Sequence, residues 1–408
     1  MLYFKKAELA ETYHVSEKTV TNWIKEAKNG KLDLELREAQ GRAWIANTTR
    51  NIVLIEQLVE KRKKFRNTRG TKTISPNTAF YATYNQQQIF DIASNLDIHR
   101  EIPYQYGYFD GGADYWDKYA QRLASEEVSN SLTSAIRQLQ TSQEYVDHLL
   151  ARYSRVNVID IGPGNAMPVK GLLQHLLDLG KLGRYVAVDI SPTMLEIVKR
   201  NVKLWFGPLV PFEGHVADIN YERFIELLAV DAVGKDANNT INLVIALGGT
   251  FTNLRSPDGA FKTIHDSMNR NDLFVYSLKL DSDAARRYFD FGIDANVSAL
   301  NVKSRMVLEM LSLDESFYDV EMGFDQERRE RYTRIRLKIA LTIHFELENG
   351  ERSVVFNKND TILLWRSWHQ GVQDVIRQLD HNDFDVLQTS LTEDKEYLLA
   401  ISRVKSES

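Results

Sequence analysis

Cysteine is absent from all 408 residues. That excludes disulfides, thiolate metal sites, iron–sulfur clusters and every cysteine-nucleophile mechanism, cytosine-C5 methylation included. Long hydrophobic runs are absent too, and nothing approaches the ~20 apolar residues of a membrane span. The opening Met1-Leu2-Tyr3-Phe4-Lys5-Lys6 meets charge at once, so no signal peptide is expected and the chain reads as cytoplasmic. The nine histidines form no H-E-x-x-H and no cluster at ligand spacing, which predicts no metal site. A G-x-S-x-G elbow, a P-loop lysine pattern and the N-P-P-Y or D-P-P-Y loop of exocyclic-amine nucleic-acid methylation are also missing. What is there, 43% hydrophobic and 26% charged residues, can fill sizeable cores. At ~150 residues per domain, the length suggests two or three of them.

The net charge of −5 is unevenly spread: residues 1–73 carry +7 and the remainder −12. A basic head on an acidic body points to an anionic partner for the head, or else to a solvated basic face. Leu9, Ala10 and Tyr13 share one helical face. Ser16 is a suitable N-cap for a second helix, Glu17–Lys25, in which Val20, Trp23 and Ile24 face inward. Two short helices with a tight turn match a helix-turn-helix. The string Leu9-Ala10…Tyr13…Val15-Ser16…Thr19-Val20…Asn22-Trp23-Ile24 resembles the MerR and excisionase-like winged-helix family over about the first forty residues. The resemblance implies DNA contacts from Lys18, Thr19, Asn22 and Lys25, and two heads per operator if the protein is a homodimer. The competing reading is a small helical module that docks on protein. An amphipathic helix follows over Asn51–Arg66, with Ile52, Ile55, Leu58 and Val59 at spacings of three and four. It runs into a basic tract that reads as a linker.

The body opens with a β-branched strand, Val156–Ile161, followed at once by Gly162-Pro163-Gly164-Asn165-Ala166 and an apolar helix. Strand, glycine turn and helix begin a doubly wound, Rossmann-like α/β sheet that holds a nucleoside or phosphate at the turn. The next strand ends in Asp189, 25 residues past Gly164, where a ribose-binding carboxylate belongs. Met167 stands where a dinucleotide fingerprint wants Gly or Ala, which weakens a nicotinamide reading. Ile190-Ser191-Pro192-Thr193-Met194-Leu195 and Val216-Ala217-Asp218-Ile219 instead resemble motifs of class I methyltransferases that use S-adenosylmethionine. The last two strands, Phe384–Ser390 and Tyr397–Ser402, read as the antiparallel hairpin closing that fold's sheet.

Gly248-Gly249-Thr250-Phe251-Thr252-Asn253-Leu254 resembles the G-S-T-x-G-N-L segment of the histidine-specific methyltransferases of ergothioneine biosynthesis. Tyr108–Asp117 resembles that family's Y-D-x-x-G-S-x-L-F segment, and the likeness spans roughly Tyr104 to Ser402. It implies cofactor contacts from Tyr108, Gly162, Gly164, Lys170, Asp189, Asp218 and Ile219, with Gly248 beside them. It implies that Asn253 meets the amino-acid end of the substrate. Tyr288 would face the acceptor amine and take its proton, or Phe289 would stand there if the register slips by one.

The family's E-x-S-x-K-[FY] strand reads imidazole with a Glu and a Ser. Placing Arg366 on that lysine puts Ile362 and Leu364 at those two positions, which turns the expectation toward an apolar or aromatic amine or amino acid other than histidine. The expected organisation is a small all-α helix-turn-helix over 1–45, a helix and basic linker over 46–78, a methyltransferase core over 79–281, an inserted α+β substrate lobe over 282–369, and closing elements over 370–408. Asp283–Leu311 is expected to be largely helical. The expected function is direct N-methyl transfer from S-adenosylmethionine. The alternative is a DNA-binding regulator whose body senses that cofactor or a metabolite.

Overall fold

The computed structural model describes residues 3–13, 15–39, 42–67, 71–109, 111–125, 130–229, 239–282, 300–348 and 350–405. The chain divides into two compact units, Met1–Thr73 with Ile339–Thr342, and Ile74–Lys338 with Ile343–Ser408.

In the first unit, helix α1 (Lys6–Thr12) and helix α2 (Glu17–Lys28) are joined by a short turn. Ser16 Oγ accepts the Thr19 amide at 3.3 Å and so satisfies one free N–H of the first turn of α2. The same cap corrects one expectation. Thr19 does not face outward: its hydroxyl lies 2.9 Å from Ser16 Oγ and the residue is buried. Lys18, Asn22 and Lys25 are exposed. Strands β1 (Leu36–Ala39) and β2 (Arg42–Ile45) pair antiparallel, so this unit is not all-α as expected, and helix α3 (Thr49–Asn67) follows. The Asn51 side chain, fully buried, ties the start of α3 to the hairpin: it accepts from Glu35 N at 2.9 Å and donates to Glu35 O at 2.9 Å and Ala46 O at 2.8 Å. Leu9, Val20, Trp23, Ile24, Ile45 and Ile55 form the core of this unit.

The second unit is built on a seven-stranded sheet. Its strands are β3 (Arg155–Ile161), β4 (Leu182–Asp189), β5 (Phe212–Val216), β6 (Thr240–Leu247), β7 (Leu273–Lys279) and, after a long insertion, β13 (Phe384–Leu391) and β14 (Tyr397–Val404). Their order across the sheet is β13-β14-β7-β6-β3-β4-β5. The five from β7 to β5 are parallel, and β14 is antiparallel to both its neighbours. Side chains alternate between two cores, as the two-residue period of a strand requires. Ile159, Val186, Val244 and Phe274 go to one face, and Val158, Tyr185, Ile245 and Val275 to the other. Burial on both faces explains why these strands read as continuous apolar runs. The chain leaves β3 toward β4 and β5, then returns to β6 on its other side, which opens a crevice at the carboxyl ends of β3, β4 and β6.

The insertion between β7 and helix α9 (Val372–His381) carries helix α8 (Val302–Met310). Strands β8 (Tyr318–Asp325), β9 (Glu330–Leu337) and β12 (Thr361–Trp368) form an antiparallel sheet with β9 in the centre. Strands β10 (Leu341–Leu347) and β11 (Gly350–Phe356) are neighbours in another small sheet. Of the helix expected over Asp283–Leu311, residues 283–299 lie outside the described residues, and the described helix begins at Val302. Arg366 of β12 is buried between two carboxylates, Glu101 and Glu330, the latter at 3.1 Å. Among the described residues no helix is long and apolar enough to cross a membrane.

Candidate active site

A cavity opens at the carboxyl ends of the parallel strands. Its floor is the turn after β3. Gly162 and Gly164 have φ of 62° and 57°, backbone that glycine adopts without strain. Space matters as much as torsion here: a Cβ on Gly162 would meet Thr250 Oγ1 at 2.7 Å, and one on Gly164 would meet Trp116 Nε1 at 2.9 Å. Helix α4 (Gly112–Ser125) braces the turn from outside. Asn165 donates to Asp117 Oδ1 at 3.0 Å, and Asp117 pairs with Arg200 at 2.8 Å.

Asp189, at the end of β4, lines the cavity. Its Oδ1 accepts the Ser191 amide at 2.8 Å, while Ser191 Oγ donates to the Tyr108 carbonyl at 3.0 Å. Burial holds the Asp189 carboxyl up at about 6, against those backbone hydrogen bonds. Asp218 and Ile219 follow β5, and Asp218 Oδ1 accepts from Asn220 N at 2.9 Å. Beyond β6, Gly248 (φ 83°), Thr250 and Asn253 complete the rim. The opposite wall is aromatic. Tyr104 and Tyr108 meet edge to face at 5.6 Å, and Tyr108 and Trp116 at 6.2 Å. Burial raises both phenols far above their ordinary range, so they stay protonated at neutral pH.

Of the residues singled out from sequence, Tyr108, Gly162, Gly164, Asp189, Asp218, Ile219, Gly248 and Asn253 line this one cavity. Lys170 does not: it is exposed at the start of its helix, with Nζ 5.0 Å over the Trp205 ring. Ile362 and Leu364 do not either. Ile362 is fully buried opposite Ile335, and Leu364 lines a separate crevice with Tyr104 and Lys303. Strand pleating causes this, and the part of β12 that reaches the rim is its far end. Ser367 Oγ lies 3.4 Å from Thr252 Oγ1, and Trp368 Nε1 donates to Leu254 O at 2.7 Å. Tyr288 and Phe289 lie outside the described residues. Sequence reading passed over Tyr104, Trp116 and Thr250; the aromatic density of Tyr104–Trp116 was the available signal for the first two. Among the described residues no group of three or more His, Asp or Glu could hold a metal ion.

A Rossmann-like sheet with a glycine turn, a ribose-type acid and a closing antiparallel hairpin defines a methyltransferase of the S-adenosylmethionine-dependent class. Residues 91–404 match the model of a family described as histidine-specific, SAM-dependent methyltransferases, and the chain belongs to that family. No curated protein matches the chain. Among solved structures, a S-adenosylmethionine-dependent methyltransferase from Clostridium acetobutylicum ATCC 824 is similar at 10% identity and a TM-score of 0.39, covering 72% of this chain and 99% of its own. An O-methyltransferase family protein from Burkholderia thailandensis is similar at 11% identity and a TM-score of 0.37, covering 100% of this chain and 90% of its own. A SAM-bound amino pentose methyltransferase from Micromonospora echinaspora is similar at 8% identity and a TM-score of 0.35, covering 70% and 96%. The cavity suits the cofactor chemically: the desolvated Asp189 carboxylate calls for hydroxyl donors, and a Cβ on either turn glycine would press on Thr250 or Trp116 at the cavity wall.

Proposed function

We propose that the chain is an N-methyltransferase acting on a small amine or amino acid other than histidine. The observation that carries this reading is the single cavity that joins the glycine turn and Asp189 to Asn253 and an aromatic wall. S-adenosylmethionine supplies an electrophilic methyl on a sulfonium, so the protein's task is alignment and desolvation. Asp189 would accept from the ribose hydroxyls, Asp218 and Ile219 would flank the adenine, and Gly162, Gly164 and Gly248 would admit the rest against backbone. The Asn253 amide would hold the amino-acid end of the acceptor. An ammonium has no lone pair and cannot attack, so its proton must leave first. Tyr104 and Tyr108 already hold theirs, and the proposal keeps Tyr288, outside the described residues, as the acceptor of that proton.

The exclusion of histidine starts from the register that sets Ile362 and Leu364 at the family's Glu and Ser; neither lines the cavity, and what still supports it is the lack of a carboxylate on the strand. Thr361–Trp368 contains no carboxylate, and the nearby Glu101 and Glu330 are both engaged by Arg366. An imidazole N–H buried without an acceptor costs ~1–3 kcal/mol. Labelled S-adenosylmethionine incubated with a panel of amines and amino acids should release S-adenosylhomocysteine with an apolar or aromatic acceptor and not with histidine. Trimethylhistidine formed at a comparable rate would overturn the exclusion.

A second reading concerns the head, and the exposure of Lys18, Asn22 and Lys25 on α2 favours it. In this reading residues 1 to about 70 bind DNA, most firmly as a homodimer that presents two heads, and the body senses the cofactor. Lys18→Ala with Lys25→Ala should flatten the slope of log K against log salt by ~0.9 per lost phosphate contact and leave cofactor affinity untouched. Fluorescence anisotropy at several salt concentrations decides it; no binding by the unmodified protein at low salt would reject the reading.

A further inference from the structure

Lys303, in the first turn of α8, is only 2% exposed, and its Nζ has no hydrogen-bond partner. The stem is wedged against the Tyr104–Gly112 segment. A Cβ on Gly107 would come within 3.3 Å of Lys303 Cβ, and one on Gly112 within 3.5 Å of its Cγ. Nζ lies 3.7 Å from the centre of the Tyr108 ring, 4.1 Å from that of Tyr104 and 5.2 Å from that of Trp116. All three distances are inside the ~6 Å over which a ring face attracts a cation. Burial, with no described carboxylate to oppose it, pulls the ammonium down to about 7.

The three rings are the aromatic wall of the cofactor cavity. Two of them transmit their posture to groups assigned to the cofactor: the Tyr108 carbonyl receives Ser191 Oγ, whose amide in turn donates to Asp189, and the Trp116 indole edge stands over Gly164. We propose that Lys303 is a positioning residue of this cavity, reaching from the inserted lobe to clamp Tyr104, Tyr108 and Trp116 through their faces, so that cofactor binds most tightly while the ammonium is charged. The proposal rests on the cofactor reading of the cavity given above.

The groups around Lys303 separate the pH effects. Tyr104 and Tyr108 stay neutral through the accessible range, Trp116 does not titrate, and Ile102, Pro103, Val307 and Leu364 in the adjoining crevice are apolar. Among the cavity-lining residues, burial holds the Asp189 carboxyl up at about 6. Asp189 therefore governs the acid side of cofactor affinity and Lys303 the alkaline side.

Calorimetry of S-adenosylhomocysteine binding to the full chain, from pH 5.5 to 9, tests this on the unmodified protein, Lys303→Met and Lys303→Arg. Affinity of the unmodified protein should rise to a maximum between the two titrations, then fall by about threefold to tenfold, the scale of one or two cation–π contacts. Lys303→Met should keep the acid rise, lack the alkaline fall and bind at the optimum as weakly as the unmodified protein does at high pH. Lys303→Arg stays charged and should not fall. The ligand's own amine titrates equally in all three and cancels in their ratios. Lys303→Met profiles that track the unmodified protein overturn the proposal. If that variant does not fold, an identical alkaline fall in Lys303→Arg and the unmodified protein overturns it instead. Absence of binding by every protein removes the cofactor reading, and the clamp with it.

Discussion

On one side of the cavity, Gly162, Gly164, Asp189, Asp218 and Gly248 stand at or within three residues of the ends of adjacent parallel strands. On the other side, Tyr104, Trp116, Lys303 and the end of β12 converge from a short turn, a helix, the inserted lobe and the lobe's own sheet. The first side is made of backbone turns whose shape depends on having no side chain. The second is made of side chains whose meeting depends on tertiary packing. The two should therefore fail differently: a change in the strand-end turns should reach cofactor affinity directly, whereas a change in the lobe should reach stability or acceptor selectivity, and cofactor affinity only through the aromatic wall that Lys303 clamps.

The largest expected effect lies on the lobe side. Arg366→Met leaves Glu101 and Glu330 facing each other in the interior, both already pushed up by burial. Breaking such a triad from one side should cost ~3–5 kcal/mol in chemical denaturation. If stability holds, the lobe is not anchored through Arg366. Next comes the glycine turn. Gly164→Ala adds a Cβ at positive φ and 2.9 Å from a rigid indole, whereas Gly248→Ala adds one at φ 83° with open space around it. The first should lose S-adenosylhomocysteine affinity by more than the ~1–3 kcal/mol scale of backbone strain alone, and the second by no more than that. Equal losses would mean that torsion and not space governs the turn.

Asp189→Asn should weaken the same ligand by ~1–3 kcal/mol. The pH signs can be worked out. The folded carboxyl is held at about 6, well above the ordinary 3.8 of an aspartate, so the free protein retains a proton that the unfolded chain has lost over that window. Free-protein stability should thus fall as pH rises through the window, and cofactor affinity should rise as the carboxylate forms; Asp189→Asn should abolish both slopes in melting and in calorimetry. The smallest effect is Ser367→Ala, which removes a long contact to Thr252 at 3.4 Å. It should leave cofactor affinity unchanged and move the KM for the acceptor by about twofold at most, since a hydrogen bond that long contributes little.

The same contrast decides what could be read from the sequence. Strands β3 and β4, the glycine turn, Asp189 and the closing hairpin were legible because their signals are local: β-branched runs, a Gly-Pro-Gly turn, an acid at a strand end. Position on β12 was not. Setting Arg366 by likeness to a lysine put Ile362 and Leu364 toward the acceptor, yet the fold needs Arg366 inside with two glutamates, and its neighbours of the same pleat go inside with it. Lys170 failed for a related reason, since a spacing along a helix does not say which face that helix presents. Thr19 was misplaced by its own cap, because a hydroxyl near the start of a helix can serve Ser16 as readily as a partner. Lys303 carried no signal at all; a lysine in a short helix reads as solvated, and only the three rings around it say otherwise.

The place of the insertion has a consequence for how the chain is made. Strand β7 ends at Lys279, and its antiparallel partner β14 begins only at Tyr397. At roughly 5–20 residues per second, synthesis leaves that edge of the sheet without its neighbour for about 6 to 24 seconds. During that interval the chain must also build a separate sheet from β8, β9 and β12. Strand β7 reads Leu-Phe-Val-Tyr-Ser-Leu-Lys, apolar enough to recruit a foreign strand if left bare. The long sequence separation of the β7–β14 pair makes it one of the late steps of folding. A newborn chain is therefore most exposed to mispairing after its cofactor-binding strands have emerged and before its last strand has arrived.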